Sequence, residues 1–267
     1  MFRDKSVIIT GASSGLGAAL ALELARHGAK LALFAFDERQ KEVAEQCRKL
    51  GSQAIAVIGD VTRPEDGRRL VETAIAELGA IDALIVNAGI SMWSRFDSVE
   101  DVGLFRKLIE VNYLGAVNCI HPALPHIVKA RGTIAAITSI QAKVGVPLHT
   151  GYVASKHALQ GFCDSLRIEL DGTGVNILTV LPHWLRGTEL RSHALGADGG
   201  ELGGSARKHG SDAVTVDAAT KMILAAMTTG RRELYIPSKL RLLVALNGLS
   251  PVLAESLVKG RVDREDH

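Results

Sequence analysis

Cysteine is nearly absent from this 267-residue chain: Cys47, Cys119 and Cys163 are odd in number and lie far apart. That excludes a disulfide framework and a paired-thiolate metal site, and leaves three thiols expected to be buried spectators. No uninterrupted apolar run reaches the ~18–20 residues needed to cross a bilayer. The hydrophobic fraction of 47% is nevertheless ample for a core. Charge of one sign is not in excess either. Thirty-one basic side chains face 29 acidic ones, a formal net charge of +2, with the signs interspersed and no basic block or tail. Nucleic acid is therefore not an expected partner. Met1 to Lys5 forms a short charged lead without an apolar h-region or a small-residue cleavage site, so the expected address is cytoplasmic.

What the chain does have is alternation. Short β-branched runs near 5–10, 29–35, 53–59, 81–87, 132–139, 174–182 and 232–236 are too continuously apolar to leave one face in water, as befits central strands covered on both sides. Between them, 15–27, 38–50, 64–78, 100–130 and 152–170 carry helical spacing, and Pro64 follows Thr62-Arg63 like the first residue of a capped helix. The expected fold class is α/β: one doubly wound domain over 1–267, with a mostly parallel seven-stranded sheet and helices on both faces. Two stretches break the rhythm. Segment 187–212 is too rich in glycine for a packed element and reads as a flexible substrate loop. Segment 239–260 is apolar and suits core or interface packing, membrane contact being the rarer outcome for such a stretch.

The first strand runs into Thr10-Gly11-Ala12-Ser13-Ser14-Gly15-Leu16-Gly17 and then into an alanine-rich helix. Small residues at a strand-to-helix crossover let backbone N–H groups approach a pyrophosphate, and the helix N-terminus favours its charge. The expected ligand is a dinucleotide held by Gly11, Ser13, Ser14, Gly15, Leu16 and Gly17.

Tyr152 and Lys156 stand four apart at the start of a helix, so their side chains share a face. A free phenol titrates near ~10, and a neighbouring ammonium favours the phenolate, which brings proton transfer within range of neutral pH. Ser139, at the end of the preceding strand, is placed to hydrogen-bond a substrate oxygen.

Together these residues resemble the short-chain dehydrogenase/reductase family over roughly 5–240. The family's glycine motif matches Thr10–Gly17, its Asn-Ala-Gly turn matches Asn87, Ala88 and Gly89, and its active-site asparagine matches Asn112. Ser139 and the run Tyr152-Val153-Ala154-Ser155-Lys156 complete the tetrad. The resemblance implies a nicotinamide-dependent oxidoreductase with Asn112, Ser139, Tyr152 and Lys156 as catalytic residues. In it Tyr152 exchanges the proton, Ser139 orients the substrate oxygen, Lys156 binds the nicotinamide ribose and Asn112 holds a water. Asp60 and Val61 match the pair bordering adenine. Tyr152, Lys156, Pro182, Leu185 and Thr188 match cofactor contacts, and family members are usually homodimers or homotetramers.

Two departures from the family pattern matter. After the sixth strand the usual Pro-Gly is Pro182-His183, followed by Trp184, and Thr188 comes one residue late. At the end of the second strand, Phe36 and Asp37 follow Ala35. Asp37 lies about twenty residues beyond the glycine turn, where a carboxylate would bind the ribose diol of NAD. Family alignment instead puts the usual NAD aspartate at Ala35 and a common NADP arginine at Phe36, leaving both positions empty. With no carboxylate at Ala35 to exclude a 2′-phosphate, the balance falls to NADP(H) over NAD(H), Arg39 or Lys41 being candidate partners for the phosphate. The expected substrate is a small apolar secondary alcohol or ketone, walled by Met92, Trp93, Val144, Val146, His149 and Trp184. A non-catalytic nucleotide sensor on the same fold is the competing reading, and an epimerase or dehydratase is disfavoured by the short chain.

Overall fold

The computed structural model describes residues 2–203 and 213–265, with side chains described as far as 260. In chain order the elements are β1 (Ser6–Thr10), α1 (Gly15–Arg26), β2 (Lys30–Ala35), α2 (Arg39–Lys49), β3 (Ala54–Ile58), α3 (Pro64–Leu78) and β4 (Ala83–Val86). There follow α4 (Gly103–Ile109), α5 (Gly115–Ala130), β5 (Thr133–Ile137), α6 (Thr150–Glu169), β6 (Asn176–Pro182), β7 (Leu185–Arg186) and β8 (Val214–Thr215). The last are α7 (Val216–Thr228), β9 (Glu233–Ile236), α8 (Leu240–Leu249) and α9 (Pro251–Glu265).

Seven strands form one sheet in the order β3-β2-β1-β4-β5-β6-β9, every neighbouring pair parallel. Side chains alternate across it. Val7 and Ile9 of β1 join α1, α2 and α7 in one core, while Ile8 joins α3, α5 and α6 in the other. Both faces are thus buried, which accounts for the unbroken apolar runs. The strand order reverses between β1 and β4, and such a switch point opens a crevice at the carboxyl ends of the strands. All three cysteines are buried, and burial pushes the thiols of Cys47 up to about 11 and of Cys119 and Cys163 up to about 12, as inert core groups.

The helix expected over 100–130 is interrupted. It begins at Gly103, passes through a π-helical turn at Glu110–Leu114, and resumes as α5. Pro122 and Pro125 lie inside α5, each removing one backbone donor from the helix. Pro122 cannot donate to the Asn118 carbonyl, and Gly67 of α3 packs so close to that oxygen that a Cβ would collide with it. The strand expected over 132–139 ends at Ile137, which frees Ser139 to cap the 3-10 turn Ile140–Ala142.

Residues 188–203 fold back over the crevice. Leu195 N–H donates to the Ser91 carbonyl at 2.9 Å, Trp93 N–H donates to Leu195 at 2.9 Å, and Ala194 and Leu195 are buried. The remainder of the glycine-rich stretch, 204–212, lies outside the described residues. In the apolar C-terminal segment Leu240 is buried with Ile140, Val144, Leu181 and Tyr235, whereas Leu242, Leu249, Val252, Leu253 and Leu257 are exposed. Among the described residues no helix is long and apolar enough to cross a membrane.

Candidate active site

A cleft of about 810 Å³ opens at the carboxyl ends of β1, β2, β4, β5 and β6, within the range usual for small-ligand sites. Its floor is the turn between β1 and α1. Gly11 has φ +63°, and a Cβ there would stand 2.8 Å from Ala88 Cα; a Cβ on Gly17 would collide with the Gly11 carbonyl. Both positions therefore require glycine, and the backbone stays open to a ligand. Asn87 locks the turn from the next strand: its Nδ2 donates to the Thr10 and Gly11 carbonyls at 3.0 Å each. The Thr10 hydroxyl accepts from Asn87 N–H and Ala88 N–H, both at 3.0 Å. Ser13, Ser14, Gly15 and Leu16 line the cleft, and Thr188 reaches across to within 3.7 Å of a Cβ built on Gly15. Such a cradle of mostly small residues, set at a helix N-terminus, fits a dinucleotide pyrophosphate.

At the end of β2, Ala35 is buried and Phe36 is 78% exposed. Asp37 turns toward the glycine turn, where its carboxylate accepts from Ser13 Oγ at 3.0 Å and from Arg39 N–H at 2.8 Å. Burial opposes the charge of Asp37, but these bonds and the Arg39 guanidinium outweigh it and hold the carboxyl below its usual range. Arg39 also meets Glu189 of the overlying segment at 3.3 Å, and these carboxylates raise its already high pKa. Along the other rim, Asp60 Oδ1 accepts from Thr62 N–H at 2.9 Å, and Val61 packs against Gly115.

The tetrad converges at the far end. Tyr152 and Lys156 lie on the first turns of α6, both buried, with Lys156 Nζ donating to the Ile137 carbonyl at 3.0 Å and lying 5.7 Å from the Tyr152 ring centre. Burial pushes the phenol up to about 12, the nearby Ser139 hydroxyl pulling it back in part, and brings the Lys156 ammonium down to about 8. Asn112 sits in the π turn, its Oδ1 accepting from Ile90 N–H at 2.8 Å and its Nδ2 donating to the Ile90 carbonyl and to Ser155 Oγ, each at 2.9 Å. A π turn rotates one residue inward, and here it ties the helix to the Asn87–Ile90 turn. Gly89 lets both groups approach: a Cβ there would lie 3.0 Å from Asn112 Oδ1 and 3.4 Å from Lys156 Nζ.

The wall next to the tetrad is aromatic. Trp93 meets His149 edge-on with ring centres 4.7 Å apart, and Trp184 stands 6.1 Å from each of them. The Arg191 guanidinium lies over both indoles, 5.1 Å from the ring centre of Trp93 and 4.6 Å from that of Trp184. Pro182, His183, Trp184 and Leu185 line the cleft directly. Met92 is fully buried beneath it against Leu104, Leu108 and Tyr152, and Val144 and Val146 pack under α8 with Leu240. Sequence reasoning missed Arg191, Gln141 and Ser155. Arg191 carries no sequence signal; Gln141 was legible only through its nearness to Ser139.

A Rossmann-type sheet with a dinucleotide cradle and a Ser, Tyr and Lys set on one crevice defines a nicotinamide-dependent oxidoreductase. Comparison with known proteins agrees. Residues 5–196 match the family model of the short chain dehydrogenases, and the chain belongs to that family. It is 35% identical over 260 residues to the 11-beta-hydroxysteroid dehydrogenase-like 4A of Arabidopsis thaliana, covering 96% of this chain and 84% of the relative. It is 33% identical over 263 residues to a dehydrogenase/reductase SDR family protein 7-like of Dictyostelium discoideum, covering 96% and 81%. An alcohol dehydrogenase from the archaeon Thermococcus sibiricus, solved with 5-hydroxy-NADP, superposes with a TM-score of 0.74 at 25% identity, over 86% of this chain and 95% of that one.

Proposed function

We propose that the protein interconverts a secondary alcohol and a ketone, with Tyr152 as the acid/base, using NADP(H) in preference to NAD(H). The observation that carries this is the meeting of Tyr152, Ser139 and Lys156 in the same cleft as the Gly11–Gly17 cradle. When bound, the nicotinamide supplies or accepts the hydride. The chain's own residues handle the proton. Tyr152 holds it at the phenolic oxygen, and Ser139 Oγ, itself fixed by the Gln141 N–H at 3.1 Å, donates to the substrate oxygen. Lys156 places a cation beside the phenol and presents its ammonium to the cofactor ribose; both favour the phenolate when the proton leaves. Asn112 fixes the turn at Ile90, next to Gly89 and the Lys156 ammonium.

The NADP(H) preference is supported by Arg39 at the cleft rim and by the NADP derivative in the archaeal relative. Asp37 weighs the other way. The apolar wall suits a bulky alcohol or ketone, in keeping with the hydroxysteroid names of the relatives. The functional unit we propose is a homodimer or homotetramer, to be checked by sedimentation. The deciding experiment is Tyr152→Phe, assayed for carbonyl reduction and titrated with NADPH by fluorescence. The expected result is a loss of about 10²–10⁴ in kcat with cofactor binding kept; full activity in the variant would sink the mechanism.

A further inference from the structure

Buried polar atoms normally have partners, and beside the tetrad one does not. Gln141 is only 5% exposed, yet among the described residues its Oε1 makes no hydrogen bond. Gln40 and Gln160 also carry an orphaned Oε1, but each is anchored through Nε2, to the Ala35 carbonyl at 3.2 Å and to Asp164 at 3.0 Å. Of the three, Gln141 alone lines the cleft, in company with Tyr152, Ser139, His183 and Trp184. Leaving a buried acceptor unmet costs about 1–3 kcal/mol, and a site that bears such a cost gains discrimination when a ligand meets it.

The backbone fixes where that acceptor works. Gln141 N–H donates to Ser139 Oγ at 3.1 Å, and Ala142 N–H donates to the Ser139 carbonyl at 2.9 Å, so the serine hydroxyl and the glutamine amide ride on one short turn. Their Cα atoms are two residues apart and hence within about 7 Å of each other. Granted the oxidoreductase reading above, in which Ser139 holds the reacting oxygen, the amide meets a group only a few bonds further along the substrate.

We infer that Gln141 is a substrate-specificity residue that accepts a hydrogen bond from a hydroxyl or N–H borne within about three bonds of the reacting carbon. The substrate class is thus a ketone with a neighbouring donor, such as a hydroxyketone, or the corresponding diol in the oxidative direction. Ser139 holds the oxygen that reacts and Gln141 the donor that does not, which selects one of two adjacent oxygenated carbons.

A volume-matched pair tests this: 2-hydroxy-2-methylcyclohexanone, whose tertiary alcohol cannot be oxidised, and 2,2-dimethylcyclohexanone. Each is titrated into the full-length protein saturated with oxidised NADP, so that binding is read without turnover. Trp184, which lines the cleft, and Trp93, whose ring centre lies 6.1 Å from it, are the two tryptophans of the chain and report the binding. The parent is expected to bind the hydroxyketone about 10- to 100-fold more tightly, and Gln141→Met to bring the pair within about 3-fold. The melting temperature of Gln141→Met should be unchanged or raised, because an orphaned acceptor has been removed. Equal affinities in the parent, no binding of the hydroxyketone, or a preference that survives in Gln141→Met would each overturn the inference. So would a markedly lower melting temperature, since it would mean that the amide serves the fold. Failure of the oxidoreductase reading shows separately, in the NADPH titration and in Tyr152→Phe.

Discussion

Lys156 stands one helical turn beyond Tyr152, its ammonium 5.7 Å from the centre of the phenol ring, and it donates to the strand-end carbonyl of Ile137 at 3.0 Å. Both side chains are buried, so each is driven toward its neutral form, the phenol up to about 12 and the ammonium down to about 8. Cofactor and substrate thus meet a pair whose charges are poorly solvated and respond strongly to added partners.

Stability should report the desolvation of Lys156. Its folded pKa lies near 8 against an ordinary 10.5, so between these values the unfolded chain binds more protons and stability rises with pH. Below pH 8 both states are protonated and the full penalty remains. Lys156→Met removes this dependence. Its stability relative to the parent should be most favourable at neutral pH and decline by roughly 3 kcal/mol by pH 10.5. Denaturant midpoints across that range check it; a pH-independent difference would mean that the ammonium is well solvated.

Cofactor choice should turn on Arg39. The guanidinium is shared between Asp37 at 3.4 Å and Glu189 at 3.3 Å, and it lines the cleft. Arg39→Ala is expected to weaken NADPH about 10- to 100-fold and NADH by less than about 3-fold. Parallel fluorescence titrations decide, and tighter binding of NADH by the parent would give Asp37 the leading role.

Two glycines should behave oppositely. In Gly17→Ala the new methyl collides with the Gly11 carbonyl, so dinucleotide affinity should fall at least about tenfold, with a stability loss of about 1–3 kcal/mol. Gly161 lies in α6 with nothing within 4 Å of an added Cβ, and Gly161→Ala should stabilise by about 0.5–1 kcal/mol. Thermal melts and cofactor titrations of the pair check both.

Arg191 should be visible in tryptophan emission. Its guanidinium touches both indoles of the chain, at 5.1 and 4.6 Å. Arg191→Ala is expected to shift the emission and raise acrylamide quenching, with a stability change of no more than about 2 kcal/mol. An unchanged spectrum would argue against the stacked arrangement.

Much of the site was legible because its signals are local. The glycine turn must follow a strand and open a helix, and Tyr152 and Lys156 share a helical face at a spacing of four. The apolar wall was legible only in part. Trp184 lines the cleft, whereas Val144 and Val146, which read equally well as pocket residues, are drawn under α8 by Leu240 and Leu243. Sequence alternation cannot tell a side chain facing a cavity from one facing a later helix.

Legible in the sequence alone were the alternation of strands and helices, the glycine turn at Gly11–Gly17 and the shared helical face of Tyr152 and Lys156, since each depends on residues close in the chain. Tertiary structure decided three things. It set the π turn in which Asn112 bonds to Ile90, brought Arg191 over two indoles that are 91 positions apart in sequence, and left the Gln141 side-chain Oε1 without a hydrogen bond among the described residues. These depend on which distant surfaces meet, and hydrogen-bond satisfaction can be judged only once every neighbour of a buried atom is in place.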